Sequence, residues 1–276
     1  MKSLIRFGMQ WSSRIAGLLA VASGVAVQQT SSSPETWQPQ AAATPRIAII
    51  IDDLGYKPRA DTRAINLPWP VSVAVLPAAP RARSVAASAS AGGKDVLLHL
   101  PMQARADDAD QQGLRLDMSR DGVATTLDAA LASVPEAIGV NNHRGSLLTE
   151  QVQSMQWLML HLKQRGSLFF VDSYTSADSV ALRTAREVGV PAVKRDVFLD
   201  HELTDAGIRR EFERLKDIAS THGYAVAIGH PHRLTLDFLE AELPLLAEQG
   251  YQLVGISELL RPAGRTTARA TTLNSF

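Results

Sequence analysis

The 276-residue chain contains no cysteine. That absence excludes a disulfide framework, a thiol nucleophile, a cysteine-held metal and a lipid-attachment cysteine behind an apolar leader. Any metal must be held by histidine and carboxylate. The chain also lacks net charge, with 28 Lys plus Arg against 28 Asp plus Glu. The uniform basic field of a protein that binds nucleic acid through phosphates is therefore missing, and small or neutral polymeric substrates fit better. No internal repeat is visible, and the apolar run near the N-terminus, Ile15 to Val27, is short for a membrane span.

That run follows Lys2, Arg6 and Arg14, with small residues near Gly24 to Ala26. A positive region, a short apolar region and small residues form a signal-peptide pattern over residues 1–26, with an uncleaved signal anchor as the alternative. Export to the periplasm or envelope is the expectation, with membrane contact only through an uncleaved leader. Residues 27–45 are rich in Gln, Ser, Thr, Ala and Pro and read as a flexible spacer. Residues 261–276 read as a disordered tail, which leaves one folded unit over 46–260.

Within that unit, short apolar runs alternate with longer amphipathic stretches, the pattern of parallel strands buried on both faces. Strands are predicted at Ile47–Ile51, Val71–Val75, Asp95–Leu98, Ile138–Val140, Leu168–Val171, Ala192–Phe198, Ala225–Ile228 and Gln252–Val254. Helices are predicted at Thr149–Gln164, with Thr149 as cap, at Asp205–Ala219 and at Thr235–Gln249. The fold class is α/β: an irregular β/α barrel of seven or eight parallel strands in a single domain.

The unusual polar residues fall just after predicted strands, where parallel barrels gather their active sites. Four of the seven histidines, His99, His143, His230 and His232, occupy such positions. Asp52 and Asp53 end an all-apolar strand, where partial desolvation is costly unless a cation or donors compensate. A simple turn could use one of these carboxylates, but two adjacent ones favour a site. With His99 and His143, Asp53 would complete an Asp-His-His set suited to Zn²⁺ with an open position. Asn142 lies in the polar turn before His143, and His230 and His232, two apart, would face the same way in an extended segment. His201 remains open between packing and function.

At these residues the sequence resembles the divergent polysaccharide deacetylase family, a distant relative of the metal-dependent polysaccharide deacetylases. The strings "IAIIIDDLGY", "LLHLPMQ", "GVNNHRGS", "FFVDSYTS", "RDVFLD" and "AIGHPH" carry the likeness in that order, across about Arg46 to Leu260. The resemblance implies removal of acetyl groups from N-acetylated sugars of a polysaccharide or cell-wall glycan. It implies Asp52 as base, Asp53 and His99 as ligands of a divalent metal such as zinc, and His230 as acid. Where the relatives place a second metal histidine four residues after the first, this chain has Gln103, and His143 is the candidate replacement. Asp172 and Asp196 are candidates to orient these groups, with His232 and Asn142 as further neighbours or substrate contacts. The relatives also have glycine directly after the Asp pair, where this chain has Leu54 and then Gly55. A non-catalytic envelope protein that binds glycan or a partner through the same cleft is the alternative.

Overall fold

Five consecutive apolar residues, Ile47 to Ile51, offer no polar face to water, and they form the fully buried centre of strand β1 (Arg46–Leu54). Burial of each isoleucine contributes roughly 1.5–3 kcal/mol. In this computed structural model, which describes residues 44–105 and 113–261, the same logic repeats along the chain. Parallel strands β2 (Ser72–Val75), β3 (Val96–Met102), β4 (Gly139–Arg144), β5 (Phe169–Asp172) and β6 (Ala192–Lys194) extend the sheet to one side of β1. On its other side lie β8 (Tyr224–Gly229) and then β7 (Val197–Phe198), while β9 (Gln252–Leu253) pairs with the first residues of β1.

Helices α1 (Pro58–Ile65), α2 (Ala82–Ala91), α3 (Arg120–Ser133), α4 (Val152–Gln164), α5 (Ala181–Val188), α6 (Asp205–His222) and α7 (Arg233–Glu242) supply the crossovers. They pack on the outer face, where Ile47, Ile49 and Ile51 point. Ala48 and Ile50 point the other way, into a smaller apolar interior with Leu97, Val171 and Val226, which the short α8 (Ile256–Leu259) helps to fill.

The ends of the sheet are β6 and β7, although only Arg195 and Asp196 separate them in sequence. Arg195 donates its backbone N–H to Asp172 O (2.9 Å) at one end, and Asp196 donates to Val226 O (2.8 Å) at the other. Neighbouring residues therefore bond to opposite ends, so the sheet must curl until those ends almost meet. The result is one α/β domain built on a curled, eight-strand parallel path, a β/α barrel open between β6 and β7.

Three local expectations change. Ala192–Phe198 is two strands rather than one, because the barrel seam falls at Arg195–Asp196. Thr149 is not a helix cap: it lies in a 3₁₀ turn, Leu148–Glu150, and donates its hydroxyl to Gly145 O (2.8 Å), so α4 begins only at Val152. The last long helix stops at Glu242 because Pro244 has no N–H to continue it, and a 3₁₀ turn follows. The leader at 1–26, the spacer up to residue 43 and the tail beyond Arg261 lie outside the described residues. No helix among the described residues is long and apolar enough to cross a membrane.

Candidate metal centre

Alternation along each strand continues into the site. Asp52 follows Ala48 and Ile50 onto the inner face, His99 follows Leu97, and Asn141 and His143 share a face of β4. By the same alternation Asp53 would point outward into the helix layer. Its backbone instead adopts φ 63°, in the left-handed region, and the pairing of β1 with β2 shifts register between Ile51 and Leu54. A non-glycine residue there is strained by about 1–3 kcal/mol. The turn brings the Asp53 carboxylate back over the barrel mouth.

There, Asp53 Oδ1 lies 3.2 Å from His99 Nε2 and 3.1 Å from His143 Nδ1, and those two nitrogens are 3.1 Å apart. The edge of a tetrahedron with metal–ligand bonds of about 2.0–2.1 Å is about 3.3 Å, so this near-equilateral triangle has the spacing of three ligands on one ion. Asp53 Oδ1 is shielded from solvent and, by the geometry of its neighbours among the described residues, has no well-aligned hydrogen-bond partner. Such an orphaned anion has a physical reason if a cation completes it. Burial would raise the Asp53 pKa, but His143 and His99 outweigh it and hold the carboxyl far below the ordinary range. The residues present therefore fit a divalent metal.

His99 is buried to 2% exposure, and its Nδ1 lies 2.9 Å from Asn141 Oδ1. The amide oxygen only accepts, so Nδ1 carries a proton, and in the neutral ring Nε2 keeps its lone pair for the triangle. The other end of the same amide donates from Nδ2 to Asp52 Oδ1 at 2.8 Å. Asp52 Oδ2 stays near His99 Nε2, at 3.5 Å. Burial pushes the Asp52 pKa up against the pull of His99, His230 and Asn141.

Across the mouth, His230 Nε2 lies 3.8 Å from Asp53 Oδ2. Its Nδ1 is 2.9 Å from Asp200 Oδ1, while Asp200 Oδ2 accepts the His230 backbone N–H (2.7 Å) and the Thr235 hydroxyl (2.9 Å). Burial would lower the His230 pKa, but the bond and charge of Asp200, with Asp52 and Asp53 behind them, raise it to about 9.

A family model for divergent polysaccharide deacetylases matches residues 49–260, which include every one of these side chains. The chain belongs to the divergent polysaccharide deacetylase family. It is similar to the uncharacterized protein YibQ of Escherichia coli, 41% identical over 196 residues that make up 71% of this chain and 61% of YibQ, so the match spans less than two thirds of that relative. An uncharacterized protein of Haemophilus influenzae is 41% identical over 220 residues, 79% of this chain and 78% of that one. Among solved structures, the uncharacterized protein ATU2773 from Agrobacterium tumefaciens C58 shares the fold, with a TM-score of 0.75 at 23% identity over 80% of this chain and 92% of that one.

In this member of the family, Gln103 is not aimed at the site: its Oε1 accepts the Leu116 N–H at 2.9 Å and fixes the segment after β3. His143 stands in the triangle instead. Gly55, two positions after Asp53, has φ 119° and lies so close to Ala79 that an added Cβ would sit 2.4 Å from the Ala79 Cβ. Among the described residues, Asp172 and Asp196 bond to no histidine. Asp172 accepts from Tyr174 N (2.9 Å) and Ser179 Oγ (2.8 Å), and Asp196 accepts from Val226 N (2.9 Å), because each carboxylate turns back onto the backbone that follows its strand or crosses the seam.

Asn142 lines the cleft and ties strand ends together, accepting from Ser173 N (2.8 Å) and donating to Arg144 O (2.7 Å). His232 flanks the start of α7, its ring 5.9 Å from that of His230. Asp200, His230 and His232 also come close enough to share an ion, but Nδ1 of His230 is already bonded to Asp200. Sequence reasoning missed Asn141 and Arg195. Strand alternation would have found the first, since Asn141 faces the same way as His143. Nothing local marks the second, whose position depends on the seam.

Proposed function

We propose that the chain is an exported, metal-dependent hydrolase that removes acetyl groups from N-acetylated sugars of a polysaccharide or cell-wall glycan. The observation that carries this reading is the triangle of Asp53, His99 and His143 with the buried carboxylate of Asp52 beside it. The leader-like pattern at residues 1–26 supports action outside the cytoplasm, and membership of the divergent deacetylase family supports a glycan substrate.

A carboxylate and two imidazoles suit zinc among the common divalent ions, and a metal held by Asp53, His99 and His143 supplies Lewis acidity toward an acetyl oxygen and toward water. Asp52 is the base. Asn141 fixes its Oδ1, and burial makes it a better proton acceptor than a solvated carboxylate, so it takes the proton of the attacking water as the new C–O bond forms. His230 is the acid. Asp200 holds its Nδ1 and keeps the ring charged at neutral pH, so its Nε2 proton passes to the sugar nitrogen as the C–N bond breaks. The products are acetate and a free amino sugar.

Acetate release from N-acetylated chitooligosaccharides and peptidoglycan fragments, with and without added zinc, tests the proposal. Metal-dependent release that is lost in Asp52→Asn supports it. A chain that binds zinc and glycan yet releases no acetate from any fragment would instead be a glycan-binding protein.

A further inference from the structure

His99 and His143 reach the metal centre from neighbouring strands, so their spacing rests on how β4 is held at its end. The ladder from β4 to β5 stops at Asn141, opposite Val171. On the β3 side, His143 lies opposite Pro101, which has no N–H to give, and the Pro101 carbonyl is taken by Leu114 N at 2.8 Å. The ligand therefore stands where one ladder has ended and the other lacks a donor.

Side chains take over at that point. Asn142, 1% exposed, accepts the Ser173 N–H on Oδ1 (2.8 Å) and donates from Nδ2 to the carbonyl of Arg144 (2.7 Å). The Thr175 hydroxyl donates to the same carbonyl (2.9 Å). Arg144 directly follows His143 and is left-handed at φ 56°, as is Gly145 at φ 90°, so the chain turns away as soon as the ligand is placed.

A further left-handed residue, Tyr174 at φ 51°, turns the chain after β5, where Ser173 N and Thr175 Oγ1 face β4. Asp172 takes the Tyr174 N–H (2.9 Å), and Arg195 Nη2 donates to the Tyr174 carbonyl (2.9 Å). Arg144 and Tyr174 each hold a backbone conformation that a non-glycine residue keeps only under outside constraint. Asn142 and Thr175 lock the two turns to each other.

Groups behind a metal ligand set its direction, and losing them costs affinity although every ligand remains. Resting on the metal-centre reading above, we propose that Asn142, assisted by Thr175, is a positioning residue for His143. Asp172 contributes at one further remove, by holding the Tyr174 turn on which both bonds depend.

The test measures zinc dissociation constants by titration calorimetry on the full-length chain. Asn142→Leu and Thr175→Val are each made with His143 present and in His143→Ala. With His143 present, zinc should weaken roughly 10–100-fold in Asn142→Leu. Thr175→Val should cost roughly 2–10-fold, the equivalent of one ordinary hydrogen bond, and Thr175→Ser should restore the affinity. In His143→Ala both effects should shrink below about twofold, because no ligand is left to position. Equal losses with and without His143 overturn the proposal, as does unchanged affinity in both variants. If Asn142→Leu does not fold, the Thr175 variants decide by the same comparison. Failure of the unsubstituted chain to bind zinc overturns the metal reading and this proposal with it, whereas equal losses in the two backgrounds overturn this proposal alone.

Discussion

His143 Nδ1 lies 3.1 Å from Asp53 Oδ1, which joins the end of β4 to the end of β1 across the barrel mouth. His99 Nε2 completes the set from β3. One zinc ion per chain is the expected stoichiometry. Asp53→Ala, His99→Ala and His143→Ala should each weaken zinc by more than the roughly 10–100-fold typical of losing a partner behind a ligand. Titration calorimetry reads this directly. Unaltered zinc affinity in His143→Ala would remove it from the site.

Replacing Asn141 separates its two bonds. Asn141→Leu removes both, and should cost about 1–3 kcal/mol of stability for groups left unpaired together with a roughly 10–100-fold loss of zinc affinity. Asn141→Asp keeps an acceptor for His99 but sets a second carboxylate against Asp52 in place of a donor. Zinc binding should then survive better than acetate release. Equal loss of both in the two variants would contradict a division of labour between the ends of this amide.

The His230–Asp200 pair makes metal-free stability depend on alkali. The folded pKa of His230, about 9, lies above its ordinary value of 6.5. The charged ring therefore favours the folded state fully below pH 6.5, and this contribution is lost as pH rises through about 9. The shift corresponds to an upper bound of about 3 kcal/mol. Urea midpoints of the metal-free chain should fall between pH 6.5 and 9.5, and His230→Gln should flatten that decline. A decline of the same size in the variant would show that other groups cause it.

Gly55→Ala tests the turn that aims Asp53. The new methyl would meet Ala79 Cβ at 2.4 Å on a backbone with φ 119°, so a loss of about 1–3 kcal/mol is expected. Because Gly55 follows Asp53 so closely, zinc affinity should fall as well. A destabilised variant with unchanged zinc affinity would separate the turn from the site.

Much of the barrel is legible in the apolar runs because a strand buried on both faces must be apolar throughout, and Ile47–Ile51 and Ala225–Ile228 announce themselves in this way. The division of Ala192–Phe198 is not legible. Its break at Arg195–Asp196 is set by bonds to Asp172 and Val226, whose positions depend on the curl of the whole sheet.

The candidate site divides along the same line. That reactive residues follow strand ends, and that without cysteine a metal must rest on histidine and carboxylate, is readable from the residues alone, because strand order and residue chemistry are local properties. The meeting of Asp53, His99 and His143, the coupling of His99 to Asp52 through Asn141, and the turning away of Asp172 and Asp196 emerge from the folded chain. Those outcomes depend on one left-handed residue at Asp53 and on the curl of the sheet, and both arise from packing between segments far apart in the chain.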